Sequence, residues 1–183
     1  MKNTDCLVEV IRAISELHIP YMVVGAYSSN AYGLSRSTND ADIVIQYREG
    51  CLRELGRMVG GDFVVDPQMT LEVRTGSVRN VLRYRPTGFE IELFRLTDDP
   101  HDQARFERRR NVLLPALNVE VILPTAEDVV VQKLRWQRDK DLADVRVVLE
   151  IQRARLDWNY IRHWTDCHQT THLLDRLLKD LSS

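Results

Sequence analysis

The chain has 183 residues, with 25 Lys and Arg against 27 Asp and Glu, for a formal net charge of -2. That length buries a real core without disulfide or metal staples, and the balanced charge excludes a general affinity for polyanions while leaving room for a local basic patch. Hydrophobic residues at 44% and charged residues at 28% are the proportions of a soluble globular protein. No run approaches the ~18 apolar residues a membrane span requires, and Asp5, Glu9 and Arg12 interrupt any signal-peptide core. The three cysteines, Cys6, Cys51 and Cys167, form no CxxC pair and are odd in number. They point to plain thiols in a reducing cytoplasm rather than to a zinc knuckle or a disulfide framework.

In chain order, residues 5–17 place Leu7, Val10, Ile11, Ile14 and Leu17 at helical spacing and predict an amphipathic helix ended by His18-Ile19-Pro20. Tyr21 to Val24 is a short apolar run that reads as a buried strand entering a turn at Gly25. A short helix over 26–33, closed by Gly33, follows. Polar turn residues 34–39 lead to a second strand at 41–45. Residues 49–59 predict a helix. From 63 to 94 the pattern is mostly strand, with Pro86-Thr87-Gly88 as a hairpin turn before the strand of Phe89 to Phe94. A helix over 100–110 and a strand over 119–123 complete this part. After Pro124 the chain becomes helical. Thr125 caps the first helix and Asp128 sits at its capping-box position, with helices expected over 126–138, 140–154, 157–167 and 170–181. The expectation is an α+β fold. Residues 1–123 form a core with a small mixed sheet flanked by helices, and residues 124–183 form a helical bundle packed on it.

The chemistry concentrates in carboxylates. Asp40 and Asp42 lie two apart at a strand start, so both side chains share one face. Like charges this close raise one pKa unless a cation lies between them, and magnesium binds such oxygens together with substrate phosphates. A solvated pair at a strand entrance is the simpler alternative. Glu90 and Glu92 form a second such pair on FEIELF, opposite the apolar face of Phe89, Ile91 and Leu93. That strand is either a sheet with one wet face or the source of a third ligand, Glu92, for a two-metal clamp. Gly25 permits close backbone approach to a ligand, and amides at the start of the following helix suit a phosphate, with Ser28 and Ser29 as further donors.

Val24-Gly25-Ala26, thirteen residues, then Asp40-Ala41-Asp42-Ile43 resembles the signature of the DNA polymerase beta-like nucleotidyltransferase superfamily. The run GAYSSNAYGLSRSTNDADIVI is similar to its small bacterial branch of type IV toxin (AbiEii-like) nucleotidyltransferases, whose GxxRxTxDxD pattern coincides with Gly33, Arg36, Thr38, Asp40 and Asp42. The stretch PTAEDVVVQKLRWQRDKDLADV resembles that branch's helical segment, with Glu127, Asp128, Lys133, Lys140, Asp141 and Asp144 in matching places. The resemblance spans roughly residues 20 to 150. It implies two Mg2+ ions held by Asp40, Asp42 and Glu92, and a nucleoside triphosphate cradled by Gly25 and the neighbouring amides. The reaction it implies is transfer of a nucleoside monophosphate to an acceptor hydroxyl on RNA such as tRNA, on a protein or on a small molecule. The toxin-like branch implies an antitoxin partner.

Two departures oppose full activity. Ala26 stands where the family has Gly or Ser, and Glu92 stands where it usually has Asp. The alternative is therefore a weak or inactive binding or regulatory protein on the same fold. Arg36, Thr38, Lys133 and Lys140 are candidate nucleotide-site residues; for Arg36 a surface salt bridge, and for Lys140 a helix-start charge pair with Asp141, is the other reading. Arg108-Arg109-Arg110 reads as a solvated basic turn ahead of a nucleic-acid contact. Trp136, Trp158 and Trp164 read as helix-packing residues, and His163, His168 and His172 as surface residues.

Overall fold

The computed structural model describes residues 1–73, 76–115 and 117–182, so two positions of the expected strand-rich stretch, 74 and 75, lie outside the described residues. Helix α1 (Asn3–Glu16) buries Leu7, Val10, Ile11 and Ile14. It ends where His18 adopts a left-handed backbone (φ 51), and the chain reverses into β1 (Tyr21–Val24), buried along its whole length. Helix α2 (Gly25–Tyr32) begins directly at Gly25, with no intervening turn. Gly33 does follow it, but at φ -127 it is not a left-handed cap. Its small size is used differently: a Cβ there would lie 3.1 Å from both the Ser29 carbonyl oxygen and Val147 Cγ1.

Strand β2 (Asp40–Ile45), helix α3 (Cys51–Met58), strands β3 (Phe63–Val65) and β4 (Thr70–Glu72), and the hairpin of β5 (Ser77–Tyr84) and β6 (Phe89–Arg95) follow. The main sheet has the order β1-β2-β6-β5-β3, with β4 also on β5. Strand β2 pairs antiparallel with β1 but parallel with β6, and this gives the sheet its mixed character. Helix α4 (Pro100–Glu107) has Pro at its start and Asp99 as cap, the Asp99 carboxylate accepting from the His101 and Asp102 amides at 3.0 and 3.1 Å. It is shorter than the expected 100–110 helix, because Arg110–Leu114 forms a strand, β7, that pairs with β8 (Val119–Leu123). The run RNVLL has no alternation, and although Pro115 and Asn118 mark a turn after it, pairing with β8 is what makes it a strand. Helices α5 (Ala126–Trp136), α6 (Asp139–Gln152), α7 (Trp158–Cys167) and α8 (Thr171–Asp180) complete the α+β fold.

The two sheet faces bury different apolar sets. Ile43, Leu82, Ile91 and Leu93 pack against Leu7 and Ile14 of α1 and Leu55 of α3. On the opposite face Met22, Val24, Val44 and Phe94 meet Phe106 of α4. A further cluster is drawn from residues 126–177, including Val130, Leu134, Leu149 and Leu174.

Asp128 ties these parts together. Its buried carboxylate accepts from the Thr125 hydroxyl at 2.7 Å and from the Tyr160 hydroxyl of α7, and lies 3.5 Å from His101 Nε2 of α4. Burial would raise its pKa, but the adjoining His101 ring and the hydroxyl bonds from Tyr160 and Thr125 outweigh that and hold it below the usual carboxylate range. Arg108 stacks on the Tyr160 ring at 3.9 Å and approaches Asp128 at 3.6 Å, so it belongs to this clamp and not to a free basic turn. His168 is half-buried, its ring 5.1 Å from His101 and 5.9 Å from Trp164, and is not a surface residue. Replacing one partner of a buried charged network strands the others, so Asp128→Ala is expected to cost about 3–5 kcal/mol, measured by urea denaturation. Asp175→Ala, which removes an exposed ion pair with Arg162, is expected to cost under about 1 kcal/mol.

Candidate active site

The parallel register of β2 and β6 builds the site. It sets Asp40 opposite Glu90 and Asp42 opposite Glu92. Their apolar neighbours Ala41, Ile43, Ile91 and Leu93 point to the opposite face and are buried, which holds the acids on the side facing α5 and α6. There they border a cleft of about 330 Å³. Its floor carries Asp40, Asp42 and Glu92, and the start of α2 at Gly25 and Ala26 lines one side. Lys133, Trp136, Arg138 and Lys140, at the junction of α5 and α6, form the wall.

Gly25 is required by geometry. Its φ is +63, and a Cβ placed there would lie 1.9 Å from Asp42 Oδ2. The backbone at the start of α2 therefore presses directly on the Asp42 carboxylate. Burial first, then the Glu92 and Asp40 charges, push the Asp42 pKa up to about 7, against the pull of Arg138 and Lys140. Burial likewise raises Glu92, while Arg79 opposes it; Arg79 Nη1 stands 3.2 Å from Glu92 Oε2. Asp40 accepts from the Thr38 hydroxyl at 2.6 Å, so Thr38 orients an acid of the site.

The other expected site residues divide. Lys133 is buried in the cleft wall, 3.1 Å from Asp141 and 2.7 Å from Asp144. Arg36 lines the cleft, but its guanidinium grips Asp144 in a two-pronged pair at 2.9 and 3.0 Å. Burial would raise the Asp144 pKa; hydrogen bonds from Arg36 and Lys133 outweigh that and hold it at about 2. Lys140 is exposed at the cleft and does not pair with Asp141, which bonds Lys133 and Arg138 instead. Ser28 and Ser29 are buried, and both hydroxyls donate to the Gly25 carbonyl, at 2.9 and 3.0 Å. Their protons serve the first turn of α2, and neither side chain lines the cleft.

Sequence reasoning missed Arg79, Glu72, Trp136 and Arg138. Trp136 faces the cleft beneath Arg138, whose guanidinium lies 4.6 Å from the ring, instead of serving only as packing. The density of charge in RWQRDKD was a usable signal for Arg138. Nothing in VRNVLRY singled out Arg79, because only the pairing of β5 with β6 brings it to Glu92.

The donor set suits a hard divalent cation, since like charges face one another beside a backbone pressed too close for a side chain. Among the described residues no group of three Asp, Glu, His or Cys side chains converges closely enough to hold a metal alone. That arrangement fits magnesium, which commonly takes one or two carboxylates and completes its shell with substrate phosphates and water.

No protein-family model matches the sequence, and the curated proteins offer no match. Solved structures do match. The chain is similar to the antibiotic-resistance factor ANT(2'')-Ia in solution (12% identity, 94% of each chain, TM-score 0.61). It is also similar to ANT(2'')-Ia in complex with adenylyl-2''-tobramycin (12% identity, 94% of this chain and 99% of that one, TM-score 0.63). An antigenic nucleotidyltransferase-like protein from Paracoccidioides brasiliensis matches at 18% identity, over 95% of this chain and 91% of that one, with TM-score 0.56. The fold is therefore that of the nucleotidyltransferases. Among the described residues no helix is long and apolar enough to cross a membrane.

Two outcomes follow from the Gly25–Asp42 contact. Gly25→Ala is expected to lose more stability in urea than Gly60→Ala. Gly60 has φ +83 but nothing within 4 Å of its Cβ position, so it carries only the left-handed penalty of about 1–2 kcal/mol. Because the folded-state pKa of Asp42 is raised, its destabilising charge is absent below the ordinary carboxyl value of about 4 and complete above about 7. Without divalent metal, Asp42→Asn is therefore expected to raise the melting temperature at pH 8 relative to the parent, with the gain vanishing at pH 4.

Proposed function

We propose that this protein is a metal-dependent nucleotidyltransferase that moves a nucleoside monophosphate from a nucleoside triphosphate to an acceptor hydroxyl. One observation carries the reading: the β2–β6 register gathers Asp40, Asp42 and Glu92 beside the Gly25 backbone, under a wall of Lys133, Arg138 and Lys140. In this reading residues 1–123 supply the acids and residues 124–183 close the cleft with cations.

Two magnesium ions, when bound, would neutralise the triphosphate and sharpen the acceptor oxygen as a nucleophile. Asp40 and Asp42 are the residues to hold them. Thr38 keeps Asp40 in place, and Arg79 holds Glu92 on the side of the incoming hydroxyl. Glu92, raised by burial, takes the hydroxyl proton as the acceptor oxygen bonds to the α-phosphorus. The α–β bridging bond breaks with its electron pair on the leaving pyrophosphate. The amides at Gly25 and Ala26 and the charge of Lys140 and Arg138 steady that pyrophosphate. Ala26 keeps its amide and loses only a hydroxyl. Arg36 and Lys133, both engaged by Asp144, position the wall.

The GxxRxTxDxD pattern supports the toxin-like branch, with RNA such as tRNA as acceptor and an antitoxin as partner. Adenylyl-2''-tobramycin, present in the complex of ANT(2'')-Ia, supports a small-molecule acceptor on the same fold. A second reading, a nucleotide-binding regulator without turnover, is favoured by the Arg79–Glu92 pair, which occupies the third carboxylate with a fixed cation.

Purified protein incubated with magnesium, each α-labelled triphosphate and total RNA, protein or aminoglycosides is expected to label one acceptor class. Asp42→Ala should remove that label by at least about 1,000-fold while circular dichroism is unchanged, and label retained in this variant sinks the assignment. Nucleotide binding that is independent of magnesium in calorimetry, with no label on any acceptor, favours the regulator.

A further inference from the structure

On the sheet face opposite the carboxylates lies a groove of about 720 Å³ between α3 and the β3–β4 edge. The pairings Thr70 with Arg79 and Leu71 with Val78 fix this placement. Arg79 faces the cleft, so Leu71, and with it Met69 and Val73, projects to the groove side. Four arginines line the groove: Arg53 and Arg57, one helical turn apart on α3, with Arg85 and Arg95 across from them. None of the four forms an ion pair with an acid among the described residues. Arg57 acts only at a distance on Glu54, which Arg48 already holds. Glu49 is the acid on the rim. The walls are aliphatic, with Val65 and Met69, and the stripe continues outward as Met69, Leu71 and Val73, exposed by 55, 60 and 84%. Among the described residues β3 and β4 pair only with β5, so their outer backbone groups form an open sheet edge.

We propose that this groove and edge dock an extended segment of a partner protein whose one face carries aliphatic side chains along part of its length and carboxylates along the rest. Such a strand adds to β4 through its backbone and lays its aliphatic residues on the Met69–Leu71–Val73 stripe. Further along the same face, where the strand runs past β3, its carboxylates reach arginines of the groove that can take them in two-pronged pairs. Charge and shape favour this occupant over two others. A single-stranded nucleic acid needs exposed rings for its bases, and the exposed aromatic ring in the groove, Tyr47, already lies 3.6 Å beneath the Arg95 guanidinium. A second copy paired edge to edge would set one arginine rim against the other.

The inference does not rest on the catalytic reading, and its test uses no catalytic residue. The full chain is titrated by fluorescence anisotropy with a dye-labelled twelve-residue peptide that has Thr at even positions and, at odd positions, Glu in its first half and Val or Ile in its second. The same peptide with Lys for Glu and a twelve-nucleotide single-stranded RNA serve as comparisons. The acidic peptide is expected to bind at least about tenfold tighter than either, to weaken with salt, and to slow amide exchange at Thr70, Leu71 and Glu72. The double variant Arg53→Glu with Arg57→Glu, both exposed on α3, should weaken it by about tenfold or more at an unchanged melting temperature. RNA binding as tight as the peptide, peptide binding indifferent to the double variant, no binding, or dimerisation blocked by the peptide would each overturn the proposal.

Discussion

The parallel pairing of β2 with β6 places Asp42 directly beside Glu92, with Asp40 on the same face. Three negative charges held that way repel, and much of the surrounding polar structure answers them. Arg79 reaches Glu92, Thr38 donates to Asp40, and Arg138 and Lys140 lean on Asp42 from the helical wall. Even so the Asp42 carboxyl remains raised to about 7. That repulsion is the feature on which the proposed cation site rests, since a cation bound there would turn it into affinity.

The Gly25 backbone sharpens the constraint. Because α2 starts at Gly25 without a connecting turn, its first amides stand next to the acids. Ser28 and Ser29 secure this junction from behind by donating to the Gly25 carbonyl. On the far side, Arg36 and Lys133 converge on Asp144, which ties the loop ahead of β2 to α5 and α6. Residues that look from their chemistry like ligand contacts are thus partly spent on holding the cleft in shape. At the short junction between the two helices Arg138 is held in turn by Asp141, while Lys140 faces the cleft with no ion pair among the described residues.

The two faces of the sheet have separate assignments. One carries the acids and their cationic wall. The other is closed by α1 and α3 over most of its area and left open at the β3–β4 end, where aliphatic side chains and arginines lie side by side. Strand alternation makes this division sharp: Arg79 belongs to the cleft and its neighbour Asn80 to the groove.

Local pattern was enough for much of the molecule. Helical periodicity located α1 and the four C-terminal helices, Thr125 marked the start of α5, and alternation in FEIELF separated the buried face of β6 from its acids. The Asp40-Ala41-Asp42 spacing placed two carboxylates together because a strand repeats every two residues. Pairing between distant segments was not legible, since it depends on register and not on local preference. Strand β7 exists only because β8 lies beside it, Arg79 reaches the site only through the β5–β6 hairpin, and Trp136 turns to the cleft because of how α5 packs. The amino-acid sequence by itself determined most of the elements, the acid pair and the glycine that starts α2. Tertiary structure alone decided which charges meet: Glu92 with Arg79, Asp144 with Arg36 and Lys133, and four groove arginines with no acid to hold them among the described residues. Such contacts join residues far apart in the chain, and only the packed sheet and helices bring them within reach.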